Sequence, residues 1–305
     1  MIKRKITKRP PRIVVHGVAS VGKTTLAAHS PSPVFICCED GAREVDAAVY
    51  TFDDKDRVQP KTLDEFRAAV RDITKSHEGY KTLVIDGVSD LDRLVSQHLC
   101  AKNPKWGGDI QFLGYGRPEA LILGVWREMV AEFEEANNAG LGIILLGHSR
   151  VENFAPPDAP NFSRYQLAVT SHKLGDVAGL LFGWSDVFGF ARFMQMTTEA
   201  GKRTIGTGIQ GARVLQLQRL DSSDAKCRYK NAPAQIPMSW AELERVMTAG
   251  DVNAEDLRSQ IEALIPSLPA DKRAATTAWL TDSLTVDDLV IGLDKVKSVI
   301  TLQAQ

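Results

Sequence analysis

Short, unbroken apolar runs recur along the first half of the chain. They are Arg12-Ile13-Val14-Val15-His16, Val34-Phe35-Ile36-Cys37-Cys38, Thr82-Leu83-Val84-Ile85 and Leu141-Gly142-Ile143-Ile144-Leu145-Leu146-Gly147. Runs of this length without alternation suit strands buried on both faces, as in a parallel sheet. Between them the apolar spacing changes to that of helices. Thr62-Leu63-Asp64-Glu65 is a capping box, and it opens a helix carrying Phe66, Ala69, Val70 and Ile73. Leu91, Leu94, Val95 and Leu99 mark a second helix over Val88–Cys100. A third starts at Pro118, carries Leu121, Ile122, Val125, Trp126, Met129, Val130 and Phe133, and stops at Gly140. Strands alternating with helices predict an α/β fold, a mostly parallel sheet sandwiched by helices. Beyond it, Ser171–Leu181 reads as helical. Strand-like pieces at Val187–Phe193, Lys202–Gly206 and Arg213–Gln218 read as hairpins at the sheet edge. From Ser239 onward the pattern is helical, broken by Pro266 and Pro269. The expected organisation is an arm over residues 1–11, a core over 12–238 and a small helical appendage over 239–305.

Composition changes this picture little. The 305 residues are 44% hydrophobic and 25% charged, ordinary values for a soluble globular protein. No apolar run approaches a membrane span of about 20 residues, so no membrane partner is expected. Cys37, Cys38, Cys100 and Cys227 lack metal-ligand spacing and read as reduced thiols of a cytoplasmic protein. The net charge is −1, unevenly spread. Residues 1–12 hold six basic residues and no acid, whereas residues 241–305 hold eleven acids against six basics. The basic arm is either a solvated tail or a phosphate-contacting segment.

The chemistry begins after the first strand. Gly17-Val18-Ala19-Ser20-Val21-Gly22-Lys23-Thr24 matches G-x-x-x-x-G-K-[ST] in full, and Thr25-Leu26-Ala27-Ala28 opens a helix behind it. In such a loop the backbone N–H groups of Gly17, Ser20, Val21, Gly22, Lys23, Thr24 and Thr25 surround phosphate oxygens. Lys23 reaches the β- and γ-phosphates and Thr24 ligates Mg²⁺. The expected cofactors are therefore ATP and Mg²⁺. Leu83-Val84-Ile85-Asp86 is an apolar strand closed by one carboxylate, the Walker B pattern, so Asp86 is the second metal ligand. Many P-loop ATPases place a water-activating glutamate directly after that aspartate, but here the position is Gly87. The available carboxylate is Glu39, at the end of the preceding strand in Glu39-Asp40-Gly41. His148, directly after the fourth core strand, is either a satisfied polar residue or a sensor of the γ-phosphate.

Two irregular segments flank this machinery. Residues 102–116 carry Lys105, Trp106, Phe112 and Tyr115; residues 151–167 are Pro-rich and carry Phe154, Phe162, Arg164 and Tyr165. Aromatic and basic residues together suit single-stranded nucleic acid, where rings stack on bases and cations follow phosphates. Surface loops with incidental aromatics are the other reading. Lys226 and Arg228 lie in a late basic segment, with Lys202 and Arg203 upstream.

Together Gly17–Thr25, Glu39-Asp40-Gly41, Leu83–Asp86, Gly140–His148 and Ala225-Lys226-Cys227-Arg228 resemble the small RecA-like ATPases of bacteriophages that promote single-strand annealing and recombination. The resemblance covers residues 10–235. It implies a RecA-like P-loop NTPase core with the fourth strand between the P-loop and Walker B strands. It also implies Glu39 as general base, loops 102–116 and 151–167 facing DNA, and Lys226 or Arg228 reaching a neighbour's ATP in trans. The implied partners are single-stranded DNA, further copies of the chain in a filament or ring, and a single-strand-binding protein. The implied location is the host bacterial cytoplasm. Two readings stand beside this one: a phage nucleotide switch for packaging, partition or assembly that acts on protein, and a small-molecule phosphotransferase. The latter usually needs an Arg-rich lid, and the two loops hold only Arg164.

Overall fold

A computed structural model of the chain describes residues 9–39, 46–53, 55–77, 79–114, 116–155, 160–200, 203–249, 254–281, 284 and 286–303. It divides into two compact units, Met1–Leu243 and Glu244–Gln305.

In the first unit the chain runs through β1 (Arg12–Gly17), α1 (Lys23–Ala28), β2 (Pro33–Cys37), β3 (Ala48–Val49), α2 (Leu63–Lys75), β4 (Thr82–Asp86) and α3 (Val88–Lys102). It continues through α4 (Arg117–Asn138), β5 (Gly142–Phe154), β6 (Phe162–Leu167), β7 (Ser171–His172), β8 (Gly175–Asp176) and α5 (Val177–Trp184). Then come β9 (Val187–Ala200), β10 (Arg203–Gln216), β11 (Lys226–Cys227) and β12 (Gln235–Pro237), and α6 (Trp240–Ala249) begins in this unit and ends in the second. The main sheet has the order β12-β10-β9-β1-β5-β4-β2-β3. The pairs β1–β5, β1–β9, β5–β4, β4–β2 and β2–β3 are parallel. The fourth core strand thus lies between the P-loop strand and the Walker B strand, as the sequence implies. Ile13–Val15, Val34–Cys37 and Leu83–Asp86 are all buried, which is why these strands show no alternation. Trp126, Phe66 and Phe133 from α4 and α2 fill one face of the sheet. No helix among the described residues is long and apolar enough to cross a membrane.

The capping box of α2 forms as expected. Thr62 Oγ1 accepts the Glu65 N–H at 3.2 Å, and the Glu65 carboxylate accepts the Lys61 N–H at 2.7 Å while pairing with Arg57. Thr62→Ala should lower unfolding free energy by about 1 kcal/mol, read by urea denaturation.

Three sequence expectations are corrected. Residues 151–167 are not a structureless loop: β5 runs on through Phe154 and pairs antiparallel with β6, from Ser149 opposite Leu167 to Phe154 opposite Phe162. Residues 156–159, which include Pro156 and Pro157, lie outside the described residues, and the strands themselves are too polar to show an apolar run. Residues 171–176 form the small β7–β8 hairpin rather than the first turns of a helix. Gly175 packs so tightly on the Glu119 backbone that a Cβ would collide with it, and Asp176 caps α5 by accepting the Gly179 N–H at 2.9 Å. The three edge pieces are two long strands, β9 and β10, with a register irregularity between Gly208 and Arg213.

The second unit contains α7 (Ala254–Leu264), α8 (Ala270–Trp279) and α9 (Val286–Gln303). Leu257, Ile261, Leu268, Leu289, Leu293 and Val296 form its core.

Candidate nucleotide site

The loop between β1 and α1 follows from its residue types. Gly22 has φ +95° and Ser20 φ 57°, left-handed conformations that let successive N–H groups turn inward. Gly17 has no room for a side chain, because a Cβ would strike the Ala191 carbonyl of β9. Lys23 is buried in the loop's concavity, with Nζ donating to the carbonyls of Val18 at 3.0 Å and Gly17 at 3.4 Å. Burial pushes its pKa below the usual lysine range, while Glu39 and Asp86 pull it back up. The predicted loop residues Gly17, Ser20, Val21, Gly22, Lys23, Thr24 and Thr25 are thus contiguous around one cradle.

The structure brings Thr24 and Asp86 together: Thr24 Oγ1 donates to Asp86 Oδ2 at 2.8 Å. Asp86 is 1% exposed. Burial lifts its pKa to about 6; the Thr24 hydroxyl opposes this, and the neighbouring Glu39 charge adds to it. A buried hydroxyl–carboxylate pair with too little positive charge around it fits a hard divalent cation.

Glu39 and His148 are also brought together. His148 Nε2 donates to Glu39 Oε2 at 2.9 Å. The register explains the meeting: β1 pairs Gly17 with His148, and β2 pairs Cys37 with Asp86. Gly87 completes it, since a Cβ there would lie 2.8 Å from the Glu39 carboxyl carbon. The space a glutamate side chain would leave from position 87 is occupied by the carboxyl of Glu39. Asp40 and Gly41 lie outside the described residues.

Other predicted residues are placed less favourably. Arg164 is 4% exposed, stacked on Phe154 and Phe162 at 4.3 and 5.2 Å, and bonded to the Asp221 carbonyl and the Asp224 carboxylate. It holds the β5–β6 hairpin together and is not free to contact phosphate. Tyr165 stacks on Phe190. Trp106 is half-buried against the core, whereas Lys105 is exposed and Phe112 is 69% exposed. Tyr115 lies outside the described residues. Lys226 donates to the Phe182 carbonyl and lies over its ring, and burial beside Arg228 lowers its pKa to about 8. Arg228 binds Asp186 and the Gly183 carbonyl. Both finger candidates are therefore engaged within their own chain, beside the start of β9 and away from the P-loop. Lys202 and the Arg203 side chain lie outside the described residues. Of the basic arm, Arg9 and Arg12 pair with Glu134 and Asp186; residues 1–8 lie outside the described residues.

Two residues escaped the sequence reading. His16, directly before the P-loop, is fully buried between Phe188 and Phe190. Burial lowers its pKa to about 4, so it is neutral at pH 7. The Asp224 carbonyl 2.9 Å from Nε2 can only accept, so Nε2 carries the proton, and Nδ1 accepts from the Ser149 hydroxyl at 2.8 Å. A single polar residue in an otherwise apolar strand was the only available signal. Arg213 on β10 is the second: its guanidinium lies against Gly22 of the P-loop.

A phosphate cradle at the end of the first strand, a buried Thr–Asp pair and a strand inserted between them define a P-loop ATPase with a RecA-like core. Residues 9–229 match the family model for the AAA domain, and the chain belongs to that family. Comparison with curated proteins finds no match. Among solved structures, the chain is similar to a KaiC-like protein from the hyperthermophilic archaeon Pyrococcus horikoshii. That likeness has 16% identity and a TM-score of 0.39, covering 75% of this chain and 85% of that one.

Proposed function

We propose that the protein hydrolyses ATP with Mg²⁺ and couples the reaction to single-stranded DNA during recombination or annealing, working as a head-to-tail oligomer. The observation that carries this reading is the 2.9 Å hydrogen bond from His148 to Glu39. It joins Glu39, the carboxylate read here as activating water, to β5, the strand that leaves the nucleotide site as the β5–β6 hairpin.

The P-loop backbone and Lys23 hold the phosphates, and Thr24 with Asp86 would hold Mg²⁺. The metal, when bound, offsets charge developing on the phosphate oxygens. Glu39 orients water and takes its proton, and His148 reports whether the terminal phosphate is present. Exposed Lys105 and Phe112 offer a cation and a stacking surface to a flexible strand.

A second reading has its own support. The hairpin spends Arg164 on internal packing and leaves Val151 57% and Phe154 36% exposed, an apolar surface better suited to a protein partner. Phosphate release with and without single-stranded DNA separates the two. The DNA reading expects at least severalfold stimulation that fades with added salt. No stimulation and no salt-sensitive binding would favour a nucleotide switch acting on protein.

A further inference from the structure

Arg213 lies 191 residues from the P-loop glycine it approaches, and its position is built rather than accidental. A Cβ placed on Gly22 would come within 2.5 Å of Arg213 Nη1 and 3.6 Å of its central carbon. The absence of a side chain at 22 is what gives the guanidinium its place beside the loop. The root of the side chain is fixed on two sides: Arg213 pairs with Phe193 of β9, and its carbonyl accepts the Met238 N–H at 3.0 Å. Leu215, two residues on and so on the same face, is fully buried and packs against Gly189. That contact sets which face of the sheet Arg213 extends from. Among the described residues no carboxylate pairs with the guanidinium, although Lys23 adds a second cation in the same loop. Two cations drawn to one phosphate cradle call for an anion.

The sheet order says which anion. Thr24–Asp86 and Glu39–His148 lie on the β5, β4 and β2 side of the P-loop strand, where the metal and the terminal phosphate belong. Arg213 reaches the loop from the opposite flank, through β9 and β10. Resting on the nucleotide-binding reading above, we propose that Arg213 is a binding residue acting within its own subunit on the phosphates nearer the nucleoside, the part shared by ATP and ADP. A planar guanidinium suits this role because it presents two parallel donors to phosphate oxygens. The role differs from that of a finger in trans, which acts on the terminal phosphate and is felt in turnover. Arg213 is also the first residue after the register irregularity in β10, so the bound diphosphate would anchor the place where the long β9–β10 ribbon leaves the main sheet.

The test uses the full chain and the Arg213→Ala and Arg213→Lys variants. Affinities for ADP and for a non-hydrolysable ATP analogue are measured by calorimetry, and kcat and KM by phosphate release. Arg213→Ala should lose about tenfold to a hundredfold in affinity for both nucleotides alike, with kcat at saturating ATP within about twofold of wild type. Arg213→Lys should recover part of the affinity, and thermal melting without nucleotide should be unchanged because the side chain is exposed. Unchanged affinities would overturn the proposal. So would a loss confined to the ATP analogue or to kcat, which would make Arg213 a terminal-phosphate residue. If wild type binds neither nucleotide, the reading of the site itself fails; if wild type binds and Arg213→Ala matches it, only this inference fails.

Discussion

Lys23→Ala is expected to abolish nucleotide-dependent turnover and to weaken ATP binding by at least about a hundredfold. The expectation follows from what Lys23 does without nucleotide. Its ammonium is buried inside the loop, bonded to two loop carbonyls and drawn toward Glu39 and Asp86. Burial works against its charge, so the site already bears the cost of holding a cation there, and only an anion of high charge repays it. Removing the amine leaves a cavity and two neighbouring carboxylates facing incoming phosphate with no intervening positive charge. Charge-assisted contacts of this kind are worth about 1.5–3 kcal/mol each, and in its place in the motif Lys23 would serve two phosphates. Lys23→Arg should fail as well, because a planar fork does not fit where a compact ammonium bonds Val18 and Gly17. Calorimetry with ATP and steady-state phosphate release are the measurements. Turnover within tenfold of wild type in Lys23→Ala would remove the P-loop from the mechanism.

How much of this site was legible in the sequence depended on how local each piece is. The cradle and its lysine are eight consecutive residues whose backbone conformations are encoded in place, by Gly22 above all. The Thr24–Asp86 pair joins two segments, but each carries its own pattern, so the meeting could be inferred. Glu39 was reached by elimination from Gly87, and the structure supplies the steric counterpart: the missing side chain at 87 is what makes room for the Glu39 carboxyl. What short stretches of sequence did not reveal is how distant packing engages particular side chains. Arg164 looked like a free cation in a loop, yet it is sandwiched by two phenylalanines that antiparallel pairing brings beside it. Lys226 and Arg228 looked available to a neighbour, yet carbonyls at the end of α5 and the Asp186 carboxylate claim them. Arg213 carried no motif at all. Its significance depends on β10 lying two strands from β1, which no short window of sequence reveals. The same holds for His16, whose partners Ser149 and Asp224 lie 133 and 208 residues further along the chain.

The second large effect is expected at Glu39, and it should separate binding from chemistry. Glu39→Gln keeps the shape of the side chain and an oxygen able to accept from His148 Nε2, so the cradle and the Thr24–Asp86 pair should persist. It also removes a negative charge beside Asp86, which relieves one of the influences raising the Asp86 pKa. ATP affinity should therefore stay within about threefold of wild type or improve. Turnover should fall by about a hundredfold to ten-thousandfold, the usual range for removing a general base, because an amide cannot accept the proton of the attacking water. His148→Ala frees the carboxylate without neutralising it, so its loss of turnover should be smaller. Under the proposed coupling to single-stranded DNA, that variant should also turn over ATP at a rate less dependent on DNA. Single-turnover phosphate release, measured beside equilibrium ATP binding, reads each arm separately. A Glu39→Gln enzyme that binds and hydrolyses ATP like wild type would show that the base lies elsewhere, and the His148 contact would then be a structural tie between β2 and β5 rather than the start of a signal to the hairpin.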